Sequence, residues 1–269
     1  MKMRWLAPGL LYAVVLGFLL FGAPAPAAPM SVAGVRAALA AAGPGHPAEL
    51  SGRDLSNLDL SGLDFAGARL AKADLHGSKL VGCDFRRADL RGANLMLAWI
   101  MRANFSGADL KGADLYGLVV YYGLDAVPAD APDFAGANLS GARIIGHLAD
   151  VDLHGANFTR ANLGVDITNQ SMGQMKIVLT DANLAGANFT GADLNRGDFS
   201  FANLAGADFS GANLFGASLN GADLSRANLS GADVAGADFT GAVLTGVVGL
   251  DRARGVAKAV GLPRPAGGK

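Results

Sequence analysis

Large apolar residues recur every five positions along most of the chain. In the stretch ADFSGANLFGASLNGADL, at 207–224, they are Phe209, Leu214, Leu219 and Leu224. A helix repeats every 3.6 residues and a strand every two, so neither element explains this spacing. The interval of five therefore indicates another kind of repeating backbone.

The positions around each central apolar residue are chemically consistent. A small residue, mostly Ala but also Ser78 or Cys83, lies at −2, Asp or Asn lies at −1, and Gly usually lies at +2. If the central and −2 side chains both point inward, the chain must turn at each repeat, because an extended strand alternates sides strictly. Asp or Asn side chains that bond nearby backbone, together with Gly, supply such turns.

A turn every five residues closes a square coil after four repeats. Stacked coils would bond edge to edge at about 4.8 Å per coil. Each buried Leu or Phe would then stabilise the column by roughly 1.5–3 kcal/mol. The pattern predicts an all-β solenoid over 50–246, with interruptions at 121–131 and 164–176.

The repeats ADLKG, ANFTG and ADLSR resemble the pentapeptide repeat family, whose motif is A(D/N)LXX. The resemblance covers roughly 50–246 and implies a right-handed quadrilateral β-helix of about 35 repeats in roughly nine coils. Helices at the C-terminus often mediate dimers in that family. A homodimer is therefore one expectation for this chain.

Both ends of the solenoid are expected to carry short capping helices. Residues 28–49 contain SVAGVRAALAAA at 31–42, which predicts a helix with Ser31 as its N-cap. Residues 247–269 contain GLDRARGVAKAVG, which predicts a brief helix led by Asp251, followed by a flexible tail. Such caps would shield the open ends of an apolar column.

The first 27 residues are typical of a secretory signal peptide. Lys2 and Arg4 precede the apolar run LLYAVVLGFLLF, and small residues with Pro24 and Pro26 follow it. We expect cleavage after Ala27 and a bacterial periplasmic or extracellular location. The alternative is an uncleaved membrane anchor, and this segment is the only membrane contact that we expect.

Composition is compatible with an ordered, turn-rich chain. Of 269 residues, 38 are Gly and 51% are hydrophobic, and Glu49 is the single glutamate among 23 acidic residues. Cleavage would leave 20 Lys and Arg against 23 Asp and Glu, a net charge of −3. With Cys83 alone, an exported chain has no internal disulfide and depends on packing.

No constellation of residues suggests catalysis, a metal or a cofactor. His76, His147 and His154 occupy outward positions, and His46 lies in a Gly- and Pro-rich linker. The Asp residues follow the period of five, so turn geometry accounts for them. Cys83 at −2 is interpreted as a buried core residue, and the protein as a non-enzyme.

Some pentapeptide repeat proteins mimic DNA and inhibit DNA gyrase, which is one alternative function. A rod of roughly 40 Å would match duplex DNA carrying on the order of 24 negative charges. A net charge of −3 and an export signal both disfavour this interpretation. We therefore do not expect a nucleic acid partner.

One cluster of large apolar residues lies at or beside outward positions, and it is the candidate interaction patch. Ladders with a step of twenty residues place Trp99 and Tyr116 near each other. The patch comprises Met96, Leu97, Trp99, Met101, Tyr116, Tyr121 and Tyr122. Either it binds an external partner, or the loop at 121–131 or the early helix covers it.

The leading hypothesis is an exported scaffold that presents this patch to a protein partner or to an envelope component. A second hypothesis is the DNA-mimicking inhibitor. A third is a secreted module that binds carbohydrate or cell-wall polymer through exposed aromatic residues. The sequence identifies no specific partner.

Overall fold

The computed structural model describes residues 29–121, 127–165 and 175–262, in which the backbone winds into a stack of coils. Consecutive coils pair in parallel through residues twenty positions apart, such as Asp54 and Asp74. Leu55 N–H donates to Asp74 C=O at 2.7 Å, and Asp74 N–H donates to Arg53 C=O at 2.9 Å. The predicted repeat solenoid is therefore confirmed.

Each coil has four sides, which we call faces 1 to 4 in chain order. On each face, the outward residues at −1 of successive coils pair into a ladder with one residue per coil. The four ladders begin at Glu49, Asp54, Asp59 and Asp64. The +1 and +2 residues form the corners, which we name by the faces they join. The 2/3 corner, for example, connects face 2 to face 3.

The ladders continue past both interruptions in register. Asn104 pairs with Asp133, 29 positions later, so the first interruption adds nine residues to a coil. Asp133 then pairs with Asp152 after 19 positions, which is a coil shortened by one residue. His147 pairs with Val178 after 31 positions, so the second interruption adds eleven residues. Both interruptions are insertions at corners of an otherwise continuous stack.

Regular strands are short because each side of a coil is only five residues long. In the described ranges, two segments count as strands, β1 (Asp114–Tyr116) and β2 (Arg143–Ile145), and they pair in parallel. On the other sides a single residue makes the parallel bridge before the chain turns. The sheet character of the solenoid therefore comes from ladders of single bridges.

Stacked side chains fill the interior of the solenoid. On face 4 the rings of Phe65, Phe85, Phe105 and Phe134 are fully buried and stack with centroids 4.7–4.8 Å apart. This distance is the spacing between neighbouring strands, so one ring occupies each coil. The packing column is the main source of stability in a chain without disulfides.

The corners are built by the −1 and +2 residues. Asp84 Oδ1 accepts the N–H of Arg86 at 2.9 Å, and Asn104 Oδ1 accepts the N–H of Ser106 at 2.9 Å. The +2 residue then takes a positive φ, as Gly92 does at 63°. Glycine adopts this conformation without strain, which explains its frequency at +2.

The N-terminal end carries α1 (Val32–Ala40). Ser31 is its N-cap, and Ser31 Oγ accepts the N–H of Gly34 at 3.1 Å, as the sequence predicts. Val35 is fully buried against the apolar column. No helix among the described residues has the length and apolarity needed to cross a bilayer.

The C-terminal segment forms less helix than the sequence predicts. Arg254 and Val260 instead extend two outward ladders, and only a 3₁₀ turn at Val256–Lys258 separates them. The last full coil has backbone N–H and C=O groups that need a partner on the next level of the stack. Arg254 N–H donates a hydrogen bond to one of them, the C=O of Ala232, at 2.7 Å. Gly255, at φ 78°, also favours a turn over a helix. Residues 1–28, with the predicted signal peptide, and the tail at 263–269 lie outside the described residues.

Candidate interaction surface

Both insertions open beside face 3. The first follows Val120 and leaves the solenoid at the 3/4 corner. The second precedes Ile177 and rejoins the solenoid at the 2/3 corner. Face 3 is therefore bordered by an insertion on each side, although the two lie far apart in sequence.

The outward ladder of face 3 differs in chemistry from the other three. It consists of two bridged runs, the first with Asp59, Lys79, Trp99 and Val119 and the second with His147, Val178, Asp198, Ser218, Asp238 and Val260. No carboxylate occurs between Asp59 and Asp198, whereas Asp and Asn dominate the equivalent ladders elsewhere. The middle of face 3 is thus apolar and weakly cationic.

Two aromatic residues of the predicted patch contact cations. Lys79 Nζ lies 5.9 Å from the centroid of the Trp99 ring. The guanidinium carbon of Arg143 lies 4.3 Å from the centroid of the Tyr116 ring, and Arg143 pairs with Asp114 at 3.4 Å. Both aromatic residues are half-buried.

Tyr116 also joins the second insertion to the solenoid. Its hydroxyl donates to Met175 Sδ at 3.0 Å, across 59 residues of sequence. The residue that was expected to be available to a partner therefore also positions one end of this insertion. This contact comes from the second insertion, and not from the loop at 121–131 or the early helix that the sequence suggested as cover.

Met101 and Tyr121 do not belong to an exposed patch. Met101 is fully buried, because the returning end of the first insertion runs along this corner, where Arg102 N–H donates to Asp130 C=O at 2.8 Å. Tyr121 is buried, and its hydroxyl donates to the carbonyl of Ala149. Burial, followed by the negative charges of nearby Asp residues, raises the pKa of Tyr121 to about 12.

The remaining patch residues are Met96, Leu97 and Tyr122. Met96 is half-buried and Leu97 is 45% exposed. Leu97 occupies a +2 position with φ 58° and lies against Gly117 of the next coil, where an added Cβ would come within 2.8 Å of Leu97 Cδ2. Tyr122 lies outside the described residues.

Sequence reasoning missed two exposed phenylalanines beside face 3. Phe201 at the 3/4 corner is 62% exposed, and Phe215 at the 2/3 corner is 47% exposed. Phe201 has φ 59° and packs on Gly221 of the next coil. Its signal in the sequence is a Phe at +2, where the repeat normally has Gly.

A separate apolar set surrounds the C-terminal end of the solenoid. Val243, Val248 and Val260 occupy outward ladder positions that carry Asp or Asn one coil earlier, and they are 46–56% exposed. Together they form what we call the C-terminal rim. Val260 is also the last residue of the face 3 ladder, so the rim adjoins the C-terminal end of that face.

The titratable groups are dispersed along the described ranges. Within those ranges, no three His, Cys, Asp or Glu side chains come close enough to hold a metal ion. Cys83 is buried and its Sγ donates to Leu60 C=O at 3.0 Å, and burial raises the pKa of this thiol to about 11. His154 Nδ1 lies 2.9 Å from Asp152 Oδ1 on the exposed surface.

Comparisons with known proteins match this chain to pentapeptide repeat proteins. A family model described as "Pentapeptide repeats" matches in eight copies, which together fall within residues 48–87, 68–98, 78–117, 133–164, 176–211 and 207–246. No curated protein matches the chain. Among solved structures, HetL of Nostoc sp. strain PCC 7120 is a pentapeptide repeat protein involved in heterocyst differentiation regulation. It is 31% identical, over 86% of this chain and 96% of HetL, with a TM-score of 0.29.

Two further solved structures have lower sequence identity to this chain. QnrB1, a plasmid-mediated fluoroquinolone resistance protein, is 22% identical over 72% of this chain and 92% of QnrB1, with a TM-score of 0.34. A pentapeptide repeat protein of the Arabidopsis thaliana thylakoid lumen is 26% identical over 54% of this chain and 79% of that protein, with a TM-score of 0.18.

Proposed function

The chain belongs to the pentapeptide repeat family, and on this premise we propose that it is an exported, non-enzymatic scaffold that binds a protein partner through face 3. The proposal includes the finer architecture implied by the family, a right-handed quadrilateral β-helix. The rigid coils would hold the binding residues at fixed heights.

The observation that supports this function is the chemistry of face 3 between its two insertions. Trp99, Val119 and Val178 replace the Asp and Asn residues that dominate the other ladders. Leu97, Phe201 and Phe215 add exposed apolar surface at its corners. Exposed apolar patches mark interaction sites, and loops beside a rigid framework commonly carry binding residues.

The DNA-mimic alternative has less support from the surface. A mimic needs a dense row of unpaired negative charges. Here Asp84 pairs with Arg86 at 2.5 Å and Asp89 with Arg91 at 2.6 Å, and Asn shares the ladders with Asp. The likeness to QnrB1, at 22% identity, is one of fold alone.

The binding function is tested by substitution at face 3. Trp99→Ala combined with Tyr116→Ala should abolish capture of a specific envelope protein, while unfolding remains cooperative. Tyr116→Phe retains the ring but loses the hydroxyl bond to Met175, so it separates loss of the surface from loss of loop positioning. The control is Arg226→Ala, at the distant 4/1 corner. Unchanged capture by the double variant would contradict the proposal.

Export is tested separately. Residues 1–27 combine a basic start, an apolar run and a small-residue end, which supports cleavage after Ala27. Cell fractionation with N-terminal sequencing should find a mature protein beginning at Ala28 outside the cytoplasm. An intact N-terminus in the cytosol would overturn export.

We also propose a homodimer through the C-terminal rim. Three exposed β-branched residues, each at the end of a different outward ladder, favour association with a second copy. Val248→Asp with Val260→Asp should convert a dimer to a monomer in light scattering. A monomeric native protein would contradict this part of the proposal.

A further inference from the structure

The repeat changes from five to six residues at the C-terminal end of the solenoid. Gly249, Gly255 and Gly261 recur at intervals of six, each directly after the last residue of an outward ladder. All three have φ of 78–79°. Each is followed by an apolar residue that packs against the end of the apolar column. These apolar residues are Leu250, Val256 and Leu262. The segment is therefore a second kind of repeat that covers the end of the column.

The side on face 3 shows how a six-residue side binds the coil below it. Val260 N–H donates to Ala237 C=O at 2.9 Å, and Phe239 N–H donates to Val260 C=O at 2.8 Å. Gly261 then crosses Thr240 so closely that an added Cβ would lie 2.6 Å from Thr240 N. Its positive φ and this contact both require glycine. A six-residue side is thus marked by a ladder residue with two backbone bonds and by a glycine directly after it.

Face 4 has no such side among the described residues. Leu244 N–H and Ala242 C=O occupy the two places that are bonded on face 3, and no described residue bonds to either group through its backbone. Leu244 is only half-buried, and Val243 between them is 46% exposed. The central residues below the three six-residue sides are fully buried, and they are Leu229, Val234 and Phe239. We call Ala242, Val243 and Leu244 the face 4 notch, an edge at which a further strand can pair.

The chain that follows Leu262 has the sequence of a fourth such side. Continued at intervals of six, the ladder position falls on Ala266 and the glycine position on Gly267. Ala266 is not a proline, so it keeps the N–H that a ladder residue donates. Pro265 falls on the position of Ala259, whose φ of −76° suits proline. The prolines change the turn that leads to this side but leave the donor of the ladder bond in place.

We propose that residues 263–268, which we call the strap, pair with the face 4 notch and complete the final coil. Ala266 N–H donates to Ala242 C=O, Leu244 N–H donates to Ala266 C=O, and Gly267 crosses the corner beyond Leu244. The strap denies this edge to an extended segment of another chain. Neither binding at face 3 nor export enters this inference, so it goes beyond the proposed function. Val248 and Val260 lie on other faces, so it is compatible with the proposed homodimer.

The first test is amide hydrogen exchange of the full chain, followed by nuclear magnetic resonance. Leu244 N–H should exchange at least about a hundredfold more slowly than an unbonded amide. Gly246 N–H should exchange freely, because the equivalent groups below the six-residue sides make no backbone bond to a described residue. These groups belong to Gly231, Gly236 and Gly241. Protection of Gly246 as well would indicate a five-residue side and would overturn the proposed register.

Gly267→Ala and Gly268→Ala form a matched pair of variants. An added Cβ at 267 would meet the coil below, as it would at Gly261, so Gly267→Ala should reduce the protection of Leu244 at least about tenfold. Gly268→Ala makes the same change one residue later and should leave that protection unchanged. Equal effects of the two variants would overturn the proposal, as would a Leu244 N–H that is unprotected in the native protein.

The second test is a disulfide between the strap and the notch. Val243→Cys combined with Ala266→Cys should form an intramolecular disulfide in oxidised glutathione, because neighbouring strands bring paired Cα atoms within the range of about 4.4–6.8 Å. Val243→Cys with Pro265→Cys is the control, and it should react at least about tenfold more slowly, since 265 is the ladder position of a five-residue side. Cys83 is buried and does not compete. A disulfide that joins two molecules would assign the notch to a second copy and would overturn the proposal.

Discussion

Asn138 Nδ2 donates a hydrogen bond to Asp109 Oδ1 at 2.8 Å, although 29 residues separate the two in sequence. The same contact between neighbouring coils joins Asn94 to Asp74, Asn183 to Asp152 and Asn213 to Asp193. An amide beside a carboxylate replaces a like-charge contact with a hydrogen bond. The mixture of Asn and Asp at −1 therefore stabilises the stack in addition to forming turns.

Asn138→Asp should destabilise the solenoid. The new carboxylate would face Asp109 on the neighbouring rung, and we expect a loss of about 1 kcal/mol in the free energy of unfolding. About 1 M salt should recover part of it. Urea unfolding at two salt concentrations measures both effects. Asn157→Asp is the control, because its ladder neighbours are Asn138 and Asn188, and an equal loss there would contradict this explanation.

Arg86→Gln should alter the pH dependence of stability. Hydrogen bonds from Arg86 hold the pKa of Asp84 below its usual range, so this pair stabilises the protein above the ordinary Asp pKa. The contribution disappears as the pH falls through the lowered pKa, below about pH 4. We expect Arg86→Gln to be less stable at pH 7 and equal to the native protein once Asp84 is protonated. Unfolding measured at successively lower pH from pH 7 tests this, and a difference that does not shrink as the pH falls would assign the effect to packing.

The thiol of Cys83 should be unreactive in the folded protein. It is buried with a pKa of about 11, so a thiol reagent at pH 8 should label it only upon unfolding. Cys83→Ser should be tolerated, because Ser78 Oγ already makes the equivalent bond to Leu55 C=O at 2.6 Å. Cys83→Val should cost about 1–3 kcal/mol through overpacking. Rapid labelling of the native state would show that this part of the column opens.

Leu153→Phe should stabilise the middle of the solenoid. The coils around the shortened turn enclose an apolar void of about 10 Å³, lined in part by Phe134 and Leu153. A Phe at 153 would extend the ring stack that ends at Phe134 and would partly fill the void. We expect a gain of about 0.5–1.5 kcal/mol in thermal or urea unfolding. Leu184→Phe, one coil further and outside the void lining, should instead destabilise by about 1–3 kcal/mol.

The sequence predicts the coil well because the period of five reports directly which side chains point inward. Ser31 and the central Leu and Phe residues act through local chemistry, so they could be assigned without coordinates. The C-terminal segment could not, since Arg252, Arg254 and Lys258 suggest a helix while the open edge of the last coil pairs with Arg254 and Val260. Long-range pairing overrode local propensity there.

The candidate surface was only partly predictable. Met101 and Tyr121 occupy outward positions in the repeat, but the end of one insertion and the shortened coil bury them. No periodic rule states how an insertion returns to the stack. Phe201 was visible as a departure from Gly at +2, but its exposure depends on Gly221 in the next coil.

The insertions leave and rejoin the stack at corners, and the ladders resume beyond them at the next level. The position of a residue along the solenoid axis is therefore set by the number of coils before it, whatever the number of residues in the insertions. Natural variation or protein engineering could exchange either loop for one of different length and specificity while Leu97, Phe201 and Phe215 keep their mutual distances. The solenoid therefore fixes the spacing of its surface residues independently of the length of the loops inserted between its coils.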